Sequence, residues 1–168
     1  MDVTISTIHT TRLDLLPLRV EHAAEMAEVL SDPALHTFIG GTPASPDALH
    51  TRYERLTTGS PDPTVTWLNW VLHHRTHTHL LGTVQATVTG PEAEIAWVIG
   101  TPWQGHGYAS EAVRGLVTWL GERSSVHTAV AHIHPEHLPS AAVARAAGLE
   151  PTEEEQDGER RWRLVLRG

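Results

Sequence analysis

Apolar and polar residues alternate at the start of Leu13-Asp14-Leu15-Leu16-Pro17-Leu18, which predicts a first strand that Pro17 places at an edge or an end. Helical spacing then replaces alternation. Ala23, Met26, Ala27 and Leu30 share one helical face, and Ser31-Asp32-Pro33 stops the run. That helix begins without an evident cap. Gly40-Gly41-Thr42-Pro43 reads as a loop. Ser45-Pro46-Asp47 follows with a capping hydroxyl, a proline at the first helical position and an acid in the first turn, so a second helix is expected to about Leu56. Gly59-Ser60-Pro61-Asp62-Pro63 breaks the chain.

Residues 67–73 and 80–89 read as the two strands of a hairpin with a polar turn. Gly90-Pro91 leads into a third strand, Glu94-Ile95-Ala96-Trp97-Val98-Ile99, which Gly100-Thr101-Pro102 ends. The clearest helical stripe comes next: Ala112, Val113, Leu116, Val117 and Leu120, in a helix of about three to four turns from Ala109 onward. Residues 127–133 look like a strand, residues 139–147 form a short alanine-rich helix closed by Gly148, and residues 161–166 alternate as a last strand. No repeat or low-complexity linker interrupts the pattern. With 168 residues, 40% of them hydrophobic, the chain fits one domain over 1–168, because domains usually run about 100–200 residues.

Composition narrows the chemistry. No cysteine is present, which removes disulfides, thiolate metal sites and a cysteine nucleophile. No apolar run reaches the roughly 18 residues of a membrane span, and Met1-Asp2-Val3-Thr4-Ile5-Ser6 lacks the features of a secretory signal, so a soluble cytoplasmic protein is expected. Lys and Arg number 12 against 20 Asp and Glu, a formal charge of −8 that disfavours nucleic acid and favours amine-bearing ligands. The 13 histidines make the net charge less negative in mild acid.

Between the third central strand and the clearest helix lies Gln104-Gly105-His106-Gly107-Tyr108-Ala109. Amides at a helix N-terminus have no intrahelical acceptor, and glycines let an anion approach them closely, so the segment suits a phosphate. It is neither a dinucleotide fingerprint, which needs a third glycine, nor a Walker loop, which needs Lys-Ser or Lys-Thr. A plain strand-to-helix turn is the alternative reading of the two glycines alone.

The hexapeptide fits the Gln/Arg-x-x-Gly-x-Gly/Ala signature and resembles the GNAT superfamily of N-acetyltransferases. Thr11-Arg12-Leu13 with Pro17-Leu18, Leu30-Ser31-Asp32-Pro33, Leu81-Gly82-Thr83, Glu94-Ile95-Ala96-Trp97 and Pro135-Glu136-His137-Leu138-Pro139-Ser140 with Gly148-Leu149 resemble its ribosomal-protein N-terminal acetyltransferase branch, in family order over residues 11–149. The resemblance implies a mixed α/β (α+β) single domain: a twisted sheet of about six to seven strands, splayed to hold pantetheine and flanked by about four helices. It implies acetyl-CoA as cosubstrate without a metal, direct attack by a primary amine of a protein N-terminus or small molecule, and a homodimer as one option. The pyrophosphate would rest on the amides of Gly105, His106, Gly107, Tyr108 and Ala109, with Gln104 also holding the cofactor and pantetheine along Trp97, Val98 and Ile99. Trp103 and Tyr108 are candidates to cover the cofactor.

Glu94 matches the family's strand acid and is the candidate base, with Glu92 as fallback two residues away; a sheet-face ion pair is the alternative role. Ser140 takes the place of the branch's serine as proton donor to the thiolate, or else is a first-turn hydroxyl. His137 stands where the family has an asparagine that contacts pantetheine. Ala144 stands where many members have a tyrosine. Two other readings remain open. The first is an acyl-CoA-binding module without catalysis, and the second is a metal site in His73-His74-x-x-His77-x-His79 or His132-x-His134-x-x-His137. The acceptor pocket is expected around residues 38–43 and the strand carrying Trp67 and Trp70.

Overall fold

Why the chain folds around its middle strands is legible in paired neighbours of opposite fate. A computed structural model describes residues 3–39 and 41–167, the side chains of Phe38 and Ile39 excepted. Eight strands make one sheet: β1 (Ile8–His9), β2 (Leu13–Pro17), β3 (Val65–His74), β4 (Leu80–Thr89), β5 (Glu92–Ile99), β6 (Thr128–Ile133), β7 (Glu150–Gln156) and β8 (Glu159–Val165), in the order β1-β2-β3-β4-β5-β6-β8-β7. The helices are α1 (Ala23–Val29), the single turn α2 (His36–Ile39), α3 (Pro46–Thr58), α4 (Tyr108–Gly121) and α5 (Leu138–Ala146). Val71 and Leu80 pack with Ala23, Met26, Leu49 and Tyr53 of α1 and α3, whereas their neighbours Leu72 and Leu81 join the core under α4. Both faces of this part of the sheet are therefore covered, which is why its strands read as apolar runs rather than strict alternation.

The predicted elements are present, and two strands were not foreseen. β1 has two residues. β7 is almost wholly exposed and opens Glu-Pro-Thr-Glu-Glu-Glu, a polar edge strand held by its pairing with β8 rather than by an apolar face. Ser45 caps α3 by accepting the Ala48 amide at 3.1 Å, as its sequence predicts. Among the described residues, no helix is long and apolar enough to cross a membrane.

Trp70 does not line an acceptor pocket, contrary to the expectation for its strand. It is fully buried, its indole N–H donates to the Ser6 carbonyl at 2.8 Å, and its ring meets Trp119 edge-on at 5.3 Å. Of the predicted pocket loop, Gly40 and the side chains of Phe38 and Ile39 lie outside the described residues.

The parting of β5 and β6 positions the cleft. β5 and β6 are parallel, joined through α4, and they pair only at Glu92↔Thr128, Ala93↔Ala129 and Glu94↔Val130. Beyond that point the strands part, while β4 stays paired with β5 as far as Gly82↔Ile99. A β-carbon at Gly82 would collide with the Val98 carbonyl oxygen, so only glycine allows this close approach.

Just ahead of β4 the histidine-rich turn folds on itself. His74, 5% exposed, accepts the amides of Thr76 and His77 on Nδ1 at 3.2 and 3.0 Å. Burial, then the nearby charges of His77 and His79, lowers its pKa below the usual 6.5. A histidine disfavoured as a cation in the fold contributes stability that is fully present above about pH 6.5 and is lost as the pH falls below that value through its lower folded-state pKa. Thermal melts should therefore show Tm falling from pH 7 to pH 5. His74→Asn, which keeps an acceptor for the turn but cannot be protonated, should flatten that fall; an unchanged slope would contradict this role.

Candidate active site

The mouth of α4 is built on left-handed backbone. Gly105 and Gly107 have φ of +80° and +79°, where a β-carbon is strained, and Gly107 caps the helix. The first bond into the helix runs from the Glu111 amide to the Gly107 carbonyl at 3.0 Å. Ahead of it, the amides from Gly105 to Ser110 find no acceptor among the described residues. A β-carbon on Gly105 would meet nothing within 4 Å, so open space lies above these donors.

A buried carboxylate holds this mouth against the sheet. Glu111, in the first turn of α4 and 12% exposed at its side chain, accepts the Thr10 hydroxyl at 2.5 Å, the Arg12 amide at 2.7 Å and Arg12 Nε at 2.7 Å. Burial pushes its pKa up, but the bonds from Thr10 and Arg12 outweigh burial and hold it below the usual value. The acid thus stays ionised at a helix N-terminus, where the dipole favours it. Arg12 also donates to the His106 carbonyl at 2.9 Å and lies 4.4 Å from the Tyr108 ring centroid, which places a cation beside the free amides.

From this mouth a cleft of about 1100 Å³ runs along the opening between β5 and β6. Gln104, Gly105, Gly107, Tyr108 and Ala109 line it at the loop; Trp97, Val98 and Ile99 line it along β5; His137, Ser140 and Val143 line it from α5 and the residue before it. Gln104 also donates its side-chain amide to the Ile99 carbonyl at 3.0 Å, tying strand to loop. Trp97 Nε1 is buried without an acceptor at this wall. His106 is exposed and absent from the lining. Trp103 lines the cleft and packs partly buried against both apolar clusters.

Glu94 sits on the last paired residue before the strands part and lines the cleft. Its Oε1 is 2.9 Å from Nδ1 of His132, on β6 just past the parting, with side-chain exposures of 48% and 15%. Glu92 shares the Glu94 face, yet it meets Arg161 at 2.6 Å and lines a separate recess of about 360 Å³. Ser140 lies in the first turn of α5, and its hydroxyl has no partner among the described residues. Burial, then the charge of His134, lowers the pKa of His137, which favours its neutral form near neutral pH. Ala144 is fully buried, and its neighbour Val143 lines the cleft instead.

Sequence reasoning missed His132 and the role of Arg12. His132 had been noticed only as part of a histidine spacing. Among the described residues, no group of three or more His, Cys, Asp or Glu is placed to hold a metal ion, although His77 and His79 stack at 5.9 Å.

A mixed sheet parted above an amide-lined helix mouth defines an acyl-CoA transferase fold. The description "Acetyltransferase (GNAT) domain" matches residues 12–150, and the chain belongs to that family of N-acetyltransferase enzymes. Over 56 residues it is 34% identical to the uncharacterized N-acetyltransferase YnaD of Bacillus subtilis (strain 168); the match spans 33% of each chain, so the chain covers about a third of the length of that curated relative. A GNAT-family acetyltransferase from Bacillus anthracis superposes with a TM-score of 0.81 at 17% identity, covering 96% of this chain and 99% of that one. RimL, the ribosomal L7/L12 alpha-N-protein acetyltransferase in complex with coenzyme A, superposes with a TM-score of 0.78 at 16% identity, covering 95% and 98%.

Two substitutions test the mouth of α4. Gly107→Val places a β-branched residue at a left-handed position, at about 1–2 kcal/mol, which should lower Tm by about 2–8 °C. CoA binding by titration calorimetry should weaken more than tenfold. Glu111→Gln removes the charge that orders Arg12 and should weaken CoA about tenfold, or about 1.4 kcal/mol. Unchanged affinity in both variants would remove the loop from the binding site.

Proposed function

We propose that the protein transfers the acetyl group of acetyl-CoA to a primary amine, by direct attack in a ternary complex. The observation that carries this reading is the parting of β5 and β6 immediately above the free amides of α4. The diphosphate of the cosubstrate lies on those amides beside Arg12, where helix dipole and guanidinium offset its charge. Its pantetheine arm runs along Trp97, Val98 and Ile99 as an added strand would, between two strands whose facing edges are unpaired. His137 replaces an asparagine as a hydrogen-bonding group near that arm.

The thioester then lies in the cleft between the α5 side and the fork. Cosubstrate chemistry supplies the activated acyl group, so no nucleophile from the protein is required. The amine enters from the Glu94 end, where Glu94 and the imidazole bonded to it are the groups able to receive its proton. Ser140 donates to the departing thiolate from the first turn of α5.

Glu94, Asp157 and Glu159 are the acids lining the cleft, and no Lys or Arg lines it among the described residues. A cationic acceptor suits that charge better than an anionic one. A protein N-terminus and a small-molecule amine both meet this requirement.

Titration calorimetry with CoA, followed by thiol release from acetyl-CoA over a panel of primary amines, tests the assignment. Binding with turnover on at least one amine and intersecting initial-velocity lines is the expected result. Tight binding without turnover on any amine would instead favour an inactive acyl-CoA-binding module. Parallel lines, or a mass gain of 42 Da on the enzyme alone, the mass of an acetyl group replacing a proton (~42 Da), would overturn direct attack.

A further inference from the structure

We infer that His132 is the residue that takes the proton from the attacking amine, through Nε2, and that Glu94 is a positioning residue which fixes the imidazole for this task. The inference rests on the acetyltransferase reading and assigns the work within its site.

The chemistry of the Glu94–His132 contact fixes which ring nitrogen is basic. An ionised carboxylate can only accept a hydrogen bond, so the 2.9 Å contact from Glu94 Oε1 requires the proton to be on Nδ1. Nε2 of the neutral ring then carries the lone pair. This nitrogen is the one left to meet a ligand, and the ring lines the cleft. A carboxylate behind an imidazole both holds the tautomer and stabilises the imidazolium once it forms.

Position and surroundings agree. His132 lies on β6, two residues past the last β5–β6 pair, on the face it shares with Val130 and Glu94. It is the less exposed of the two side chains, 15% against 48%, so water competes less for it. Arg161 is directly opposite His132 on β8 and would be the natural competitor for Glu94. Its guanidinium is instead taken up by Glu92 at 2.6 Å and Glu154 at 3.3 Å, which leaves Glu94 to His132. His134 and His137 follow along the cleft wall, with Asp157 and Glu159 on the β7–β8 hairpin as the remaining titratable groups of this end.

The step balances simply. The amine nitrogen forms a bond to the acyl carbon, the carbon–sulfur bond breaks, and the nitrogen gives up one proton to Nε2. The thiolate gains a proton from the Ser140 hydroxyl as that hydroxyl takes one from water, and the imidazolium gives its proton back to solvent, so one proton has moved in net from amine to thiol.

The test compares His132→Ala, His132→Gln and Glu94→Gln on the full chain, with acetyl-CoA and the best amine of the panel. His132→Gln keeps a side-chain N–H for Glu94 without a basic nitrogen, and so separates packing from proton transfer. Both His132 variants should lose about 10²- to 10³-fold in kcat while acetyl-CoA binds within twofold of wild type, and added imidazole should restore part of the rate to His132→Ala. Glu94→Gln should lose about tenfold in kcat with little change in KM for acetyl-CoA. The pH limb of kcat/KM that reports the base should vanish in both His132 variants and move in Glu94→Gln.

Near-normal turnover in His132→Gln with collapse in Glu94→Gln would overturn the assignment in favour of the carboxylate as base. Loss of acetyl-CoA affinity in step with the rate would overturn it by making His132 structural. A wild-type chain that binds no acetyl-CoA would instead sink the acetyltransferase reading itself, a result distinguishable because it needs no variant.

Discussion

A single carboxylate, Glu111, organises the molecule's working end. An acid that is 12% exposed must be paired or pay heavily for its burial, and every one of its partners comes from Thr10 and Arg12, about a hundred residues earlier in the chain. That requirement pins the start of α4 to the β1–β2 turn. Arg12 extends the same network to the His106 carbonyl and the Tyr108 ring, so the loop is held from behind while its amides face open space. A row of amides without acceptors, held in place beside an arginine, follows from the need to satisfy one buried charge.

The second constraint is the fork. β5 stays paired with β4 from Glu92 to Ile99, with Gly82 allowing the close approach at the last of these pairs, so β6 is the strand that departs. It departs with β8 on its other side, paired from Thr128 to Ile133. Backbone groups on the inner edges of β5 and β6 are thereby left for a ligand rather than for each other. A strand-like ligand could satisfy them in the way an added strand would.

The histidines divide by environment rather than by spacing. His74 accepts two turn amides under the β3–β4 hairpin, His106 is exposed on the loop, and His132 is bonded to Glu94 inside the cleft. Their spacing suggested a metal site, but the β3–β4 histidines serve a turn and a ring stack, and the later three follow the wall of the cleft. Residue type alone does not separate these roles, because imidazole is donor, acceptor and ligand by turns.

Most of the architecture was legible before any coordinates. The stripe of Ala112, Val113, Leu116 and Leu120 marks α4, Ser45-Pro46-Asp47 marks the start of α3, and the glycine pair at 105 and 107 marks the left-handed turn into α4, because each rests on interactions local in sequence. β7 was not legible: its acids have no apolar face, and only β8 makes it a strand. Trp70 was misjudged for the same reason, since a tryptophan in a strand can face core or ligand, and Ser6 and Trp119 settled it from afar. Periodicity and turn chemistry along the chain thus dictated the elements and the glycine turn at the mouth of α4. The pairing of Glu94 with His132 rather than Arg161, the anchoring of Glu111 by Arg12 and the width of the seam depended on contacts between distant residues, which no local pattern encodes.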